Sequence, residues 1–402
     1  MTTTVPRQAP TAEMPRDSRL APKSGSAGSQ RYGFVDLLRG FALVVMIETH
    51  VVNAYLPASA RTGAFFFWLA FVNGLVAPSF LFASGFSLVL QARRRWEEWL
   101  HSGSVFWKHV RRLAFILLVA YFLHLPHFGL SKFLTARDPA FWKQAFQVDV
   151  LQCIVASLLF IDALILLTRR QAVFAWSAAL AAAGAALATP WIWSQDFAGR
   201  MPLHLALYLN PHGVSLFPLF PWISFVLAGA VASHLFLNAA ARQADSRHMR
   251  CVFLFGFFAI LAALSMRSLQ VVEAWEVGFY RTSPLFVLIR LGCVLILCAG
   301  LYASEKRLGW VPKSIRLAGQ ESLLVYVLHL LLIFGVLRGQ FVSSILGREA
   351  GYAASFLLSA GIILLMLWLA RRWNDAKQGH PGLVRLVLAL SCAVSAVVFL
   401  LR

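Results

Sequence analysis

The chain has 402 residues, 59% of them hydrophobic and 13% charged, and its mean hydropathy is +0.70. Soluble domains carry about twice that charged fraction, so the composition excludes an ordinary soluble enzyme and points to one helical bundle facing lipid. In a soluble protein the net charge of +19 would suggest nucleic acid; here Lys and Arg belong in cytoplasmic loops, and the expected partner is the bilayer, with no nucleic acid.

Residues 1–31 are rich in Ser, Thr, Pro, Ala and basic side chains and read as a disordered cytoplasmic tail rather than a signal peptide. Residues 32–402 read as one transmembrane domain. Apolar stretches of spanning length recur near 34–56, 66–91, 110–129, 148–168, 172–193, 215–238, 250–270, 283–303, 319–338, 350–370 and 382–401. Lipid offers no hydrogen bonds, so each must be helical. The fold class is therefore all-α, a polytopic bundle of about eleven helices with a cytoplasmic N-terminus. That orientation puts 24 of the 36 Lys and Arg residues inside, as the positive-inside rule requires.

The first helix carries Asp36 and Arg39, an i,i+3 ion pair at its start, then Glu48, His50 and Asn53 near its outer end. A histidine there can accept a proton near neutral pH, as general-base chemistry needs. The stretch 93–109, RRRWEEWLHSGSVFWKH, reads as an interfacial segment whose basic lip would attract an anionic ligand. His124 and His127 flank Pro126 near the outer end of the third helix, and Asp149 and Gln152 begin the fourth. The HxxH spacing suits a metal, but the sequence offers no convincing third ligand, and no metal is expected. Asp162, further along the fourth helix, reads as a snorkelling side chain.

Outer loops at 127–147 and 194–214 are long enough to cover a site, the second holding His204, Tyr208, Asn210 and His212. Arg290 lies in the eighth helix, where a buried guanidinium needs an acceptor such as Asp149, Glu48 or a bound anion. Tyr326 and His329 fall in the ninth. Five cysteines form no CxxC pair and read as small packing residues.

Five segments in order, DLLRGFALVVMIETH at 36–50, APSFLFASGFS at 77–87, VDVLQCIVASLLF at 148–160, FPLFPWISFVLAGA at 217–230 and GQESLLVYVLHLLL at 319–332, resemble the heparan-α-glucosaminide N-acetyltransferase-like membrane acyltransferases. The resemblance implies that acetyl-CoA, or another acyl-CoA, is held from the cytoplasmic side. Its acyl group would pass to an amine or hydroxyl of an envelope sugar or glycoconjugate, in a cell membrane, the bacterial inner membrane being expected. In chain order the donor would meet Arg39, Arg111 and Arg112, and the acceptor Asn73, His124, His127 and Asp149. Catalysis would fall to His50, with His329, Gln152 and Asn53 as polar support and Arg290 as anion or carbonyl partner. Active relatives carry a histidine between the first two helices, whereas positions 56–77 contain none; His50 is the expected substitute. The alternative is a transporter of a small solute or glycoconjugate using the same polar groups. A second copy of the chain is an open partner.

Overall fold

The computed structural model describes residues 32–126, 128–268, 282–308, 312–336 and 351–402. The helices are α1 (Gly33–Tyr55), α2 (Gly63–Asn73), α3 (Val76–Arg94), α4 (Trp96–Leu100), α5 (Ser104–His124), α6 (Leu130–Thr135), α7 (Pro139–Ala145), α8 (Val150–Thr168), α9 (Gln171–Ser194), α10 (Leu203–Leu209), α11 (Leu219–Ala241), α12 (Asp245–Ser268), α13 (Pro284–Leu308), α14 (Lys313–Gln320) and α15 (Ser322–Leu330). A π-helical turn, Leu331–Val336, follows α15, and then come α16 (Tyr352–Gly379) and α17 (Pro381–Leu401). The fold is an all-α polytopic bundle.

Helices underlie all eleven apolar stretches, but length and apolarity alone select fewer spans. Among the described residues eight helical segments pass that test, α2 and α3 together forming one of them, and a ninth is reached if α14 and α15 count as one bent span. Outside that set, α1 of 23 residues carries Asp36, Arg39 and Glu48, and α5 of 21 residues carries Lys108, Arg111 and Arg112. Both are still long enough to cross, at about 34 and 31 Å by helical rise.

Contacts between helix ends sort them into two planes. The Phe34 amide donates to Glu305 Oε2 at 2.7 Å, the Trp96 indole to the Arg169 carbonyl at 3.0 Å, and Lys377 Nζ to Glu321 Oε2 at 2.6 Å. These tie the start of α1 to the end of α13, α4 just after α3 to the end of α8, and the end of α16 to the end of α14, at what we call the basic end. At the opposite end the Tyr352 hydroxyl donates to the Ala60 carbonyl at 2.6 Å.

Two glycine pairs set the closest approaches. Gly85 of α3 meets the Val226 carbonyl and Gly229 of α11 meets the Phe82 carbonyl; Gly40 of α1 and Gly319 of α14 meet the Ile315 and Asp36 carbonyls in the same reciprocal way. Any side chain at these positions would overlap backbone, which is how small residues bring helices together in lipid. Among the apolar cores of the described residues, two border the site. One joins α3, α5, α8, α9 and α11 through residues such as Leu88, Leu113, Ile161 and Phe225. The other joins α1, α15 and α16 through Leu43, Ile47, Val325 and Met366.

Two expectations are corrected here. Asp162 does not snorkel: it is 3% exposed, accepts from Trp99 Nε1 at 3.2 Å and faces His109 Nε2 at 3.2 Å. Nor is 93–109 simply interfacial, because α4 turns Trp96 and Trp99 into the core, where their apolar area is removed from water and lipid alike. A third feature was not expected. The ninth apolar stretch is broken, α14 and the segment from Ser322 meeting at 84°.

Candidate functional site

A cavity of about 630 Å³ lies between the two cores, lined by members of both, Leu88, Leu113 and Trp222 on one side and Met46, Leu151 and Tyr326 on the other. Its lining runs along α1 from Arg39 to Asn53, about 21 Å of helical rise. The cavity thus reaches from the basic end to the depth of His50.

His50 Nδ1 lies 2.8 Å from His329 Nε2, with the rings almost parallel at 9°. His329 is fully buried, and its Nδ1 is 2.8 Å from the Val325 carbonyl. A carbonyl only accepts, so His329 Nδ1 carries the proton and its neutral ring accepts at Nε2. His50 must then donate from Nδ1, which leaves the Nε2 lone pair on a ring that lines the cavity. The tautomer of His50 is set four residues back along α15, by a backbone group.

Asp149 is a second hub. It caps α8, accepting from the Val150 amide at 2.7 Å, while its own amide donates to Gln152 Oε1 at 3.2 Å in a reciprocal capping box. Its Oδ2 accepts from His124 Nε2 at 3.1 Å and from the Tyr326 hydroxyl at 3.2 Å. The Gln147 amide donates to His124 Nδ1 at 2.7 Å, which fixes the His124 proton on the nitrogen facing Asp149. Asp149 and Tyr326 line the cavity. Gln152 and His124 stand behind Asp149, and His127 lies outside the described residues.

Arg290 is 2% exposed, donates from Nη1 to the Phe71 carbonyl and lies 4.2 Å over the Phe71 ring. This acceptor, among the described residues, is a backbone carbonyl at the end of α2, a partner absent from the sequence-based expectation. Gly74 leaves room for the guanidinium, since a Cβ there would touch it. Arg290, Asn73 and Asn53 all line the cavity near His50.

At the basic end, Arg39 pairs with Asp36 at 3.5 Å and donates to the Ser87 hydroxyl, while Gln320 Nε2 donates to Asp36 at 3.2 Å. Arg39 and Arg112 line the cavity; Arg111, adjacent on α5 but turned by a helical step, is exposed and off the lining. His109 also lines it. Sequence reading missed His109 because it sits inside the basic aromatic stretch. Among the described residues no three His, Cys, Asp or Glu side chains group to hold a metal.

The structure therefore brings His50, Asn53, Asn73, Asp149, Arg290, Arg39 and Arg112 to the lining of one cavity. It sets His329, His124 and Gln152 one hydrogen bond behind that lining. Compared with known families, residues 31–272 match the profile of heparan-alpha-glucosaminide N-acetyltransferase, catalytic. No curated protein matches the chain.

Proposed function

The chain belongs to the heparan-alpha-glucosaminide N-acetyltransferase catalytic family, and from that premise we propose a membrane-embedded transferase that takes acetyl, or another acyl group, from acyl-CoA at the basic, cytoplasmic end. The acceptor is an amine or hydroxyl of an envelope sugar or glycoconjugate reaching the cavity from the opposite end. The membrane of residence in this reading is a bacterial inner membrane. What supports it above all is one cavity with Arg39 and Arg112 at one end and His50 at the other.

His50 Nε2 takes the proton of the attacking amine or hydroxyl as its nitrogen or oxygen bonds the thioester carbonyl carbon. The C–S bond then breaks, and the imidazolium returns the proton to the departing thiolate. His329 holds His50 in the competent tautomer throughout. Arg290 offers cationic N–H groups to the carbonyl oxygen as charge develops there, with Asn53 as polar support. Asp149, Asn73 and the histidines beyond Asp149 accept and orient the sugar. Gln152 serves by holding Asp149 rather than by touching substrate. His50 stands in for the histidine that positions 56–77 lack.

The test is labelled acetyl-CoA with the purified, detergent-solubilised chain and amino or hydroxyl sugars. Acetyl appearing on an acceptor upholds the proposal, and transfer untouched in both His50→Ala and His329→Ala refutes its mechanism. A transporter is the second reading, favoured by one observation: the 84° break before α15, whose residues Ser322, Leu323 and Tyr326 line the cavity, since broken helices form many transport sites. Ligand flux in vesicles without modification of the ligand would favour it.

A further inference from the structure

Three helices at the basic end build a polar cluster that the chemistry above does not use. Asp162 lies six residues before the end of α8 and is buried among apolar neighbours. A carboxylate at such depth is costly unless paired. Its two oxygens meet the Trp99 indole N–H at 3.2 Å and His109 Nε2 at 3.2 Å. Trp99 is fully buried, and its ring packs on that of His109 with centroids 5.2 Å apart and a 46° tilt. The imidazole thus faces a carboxylate along one edge and packs against an indole.

A tie between α4, α5 and α8 would not need this arrangement. Apolar side chains in place of a buried charged pair are often as stable or more so, and a tie has no reason to set an imidazole in a cavity wall. His109 lines the cavity, Arg112 follows it by three residues on the same face of α5, and Arg39 lines the same end from α1. Nε2 faces Asp162 at 3.2 Å without a hydrogen bond, and Nδ1 is the nitrogen left for a ligand. An N–H at Nδ1 donates. A histidine donor flanked by two guanidinium groups suits a phosphate or diphosphate.

We infer that His109, oriented by Asp162 and Trp99, binds the phosphate or diphosphate part of the acyl donor, and that Asp162 and Trp99 are its positioning residues. The identity of the group that carries this phosphate rests on the function proposed above; the anion site itself does not.

The test compares the folded, full-length chain with His109→Gln, using CoA and inorganic diphosphate as binding probes and S-acetylpantetheine as a donor lacking phosphate. His109→Gln is expected to weaken CoA and diphosphate binding about tenfold, the worth of one charge-assisted hydrogen bond. KM for acetyl-CoA should rise by the same factor, while kcat and transfer from S-acetylpantetheine stay within about twofold. Unchanged binding of both probes, or a fall in kcat at constant KM, overturns the inference. Should His109→Gln not fold, Trp99→Phe keeps an aromatic ring and removes the indole N–H. It is expected to weaken CoA binding about threefold, and no weakening counts against the inference. Lost diphosphate binding in a variant of a protein that transfers no acetyl upholds the anion site and refutes the transferase. Normal transfer with unchanged affinities leaves the transferase standing and overturns this inference alone; a wild-type chain that binds neither probe overturns it as well.

Discussion

The two ends of the cavity hold their histidines differently. Near α1's C-terminal half, His50 leans on a second imidazole, and the chain of hydrogen bonds ends on the neutral Val325 carbonyl. At the basic end His109 stands against the buried carboxylate of Asp162, with Arg39 and Arg112 along the same wall. A neutral imidazole partner orients the His50 ring and leaves a lone pair on the cavity side, whereas His109 faces a carboxylate and shares the cavity lining with two guanidinium groups. In the proposed function one end moves a proton and the other holds an anion. If the protein transfers acyl groups as proposed, substitutions at the first end should lower kcat and those at the second should raise KM.

The largest effect is expected from His50→Ala, a loss of about 10²–10⁴-fold in kcat, the usual worth of a general base, with KM for acetyl-CoA little changed. Labelled acetyl transfer by the purified, folded variant measures it. Retained kcat would break the comparison, because the lone-pair end would then carry no chemistry. His329→Ala comes next, at about 10- to 100-fold, since the base remains but its tautomer and direction are no longer held. His329→Gln sharpens the point: its side-chain carbonyl can still accept from His50 Nδ1, so it should retain more activity than the alanine variant. Equal losses in the two would reduce His329 to a packing residue.

Which parts of this site could be read in the sequence follows from how each is built. The helices were legible because apolar runs of spanning length leave no other structure in lipid, and the ionisable residues inside them marked His50, Arg290 and His329 as members of an interior site. The pairing of His50 with His329 was not legible, since it joins residues 279 apart through the packing of α1 on α15. Arg290 was expected to meet a carboxylate or anion; among the described residues it also meets a backbone carbonyl, a partner every residue possesses and no side chain advertises. Gln152 shows the opposite case. Its spacing from Asp149 is that of a capping box, a signal present in the sequence but read as chemistry. The 84° break before α15 has no Pro to announce it, His109 lay in a segment whose charge suggested a surface, and Asp162 was read as a snorkelling side chain.

Asp149→Asn tests the wall between the two ends. The carboxylate accepts from Val150, His124 and Tyr326, and the neutral amide leaves at least one of those donors unmatched in a buried site. A loss of about 1–3 kcal/mol in stability is expected, read by thermal or denaturant unfolding in detergent. Unfolding at the wild-type midpoint would mean that water already serves these donors and that Asp149 carries less of the fold than its hydrogen bonds suggest.

The smallest effects fall on two neighbours, and they sharpen the comparison most. Both are exposed, but Arg112 lines the cavity, whereas Arg111 is directed elsewhere by the 100° step between successive helical residues. Arg112→Ala should raise KM for acetyl-CoA about three- to tenfold at constant kcat, and Arg111→Ala by less than about twofold, because a contact at the cavity wall is specific while a surface charge acts only through a screened field. Repeating both at higher salt separates the two origins. A difference between the variants that survives salt belongs to direct contact, which is what the anion-holding end requires. Equal effects that fade together as the Debye length shrinks would assign the basic end to general attraction of an anionic donor, and only the His50 end would then remain a built site.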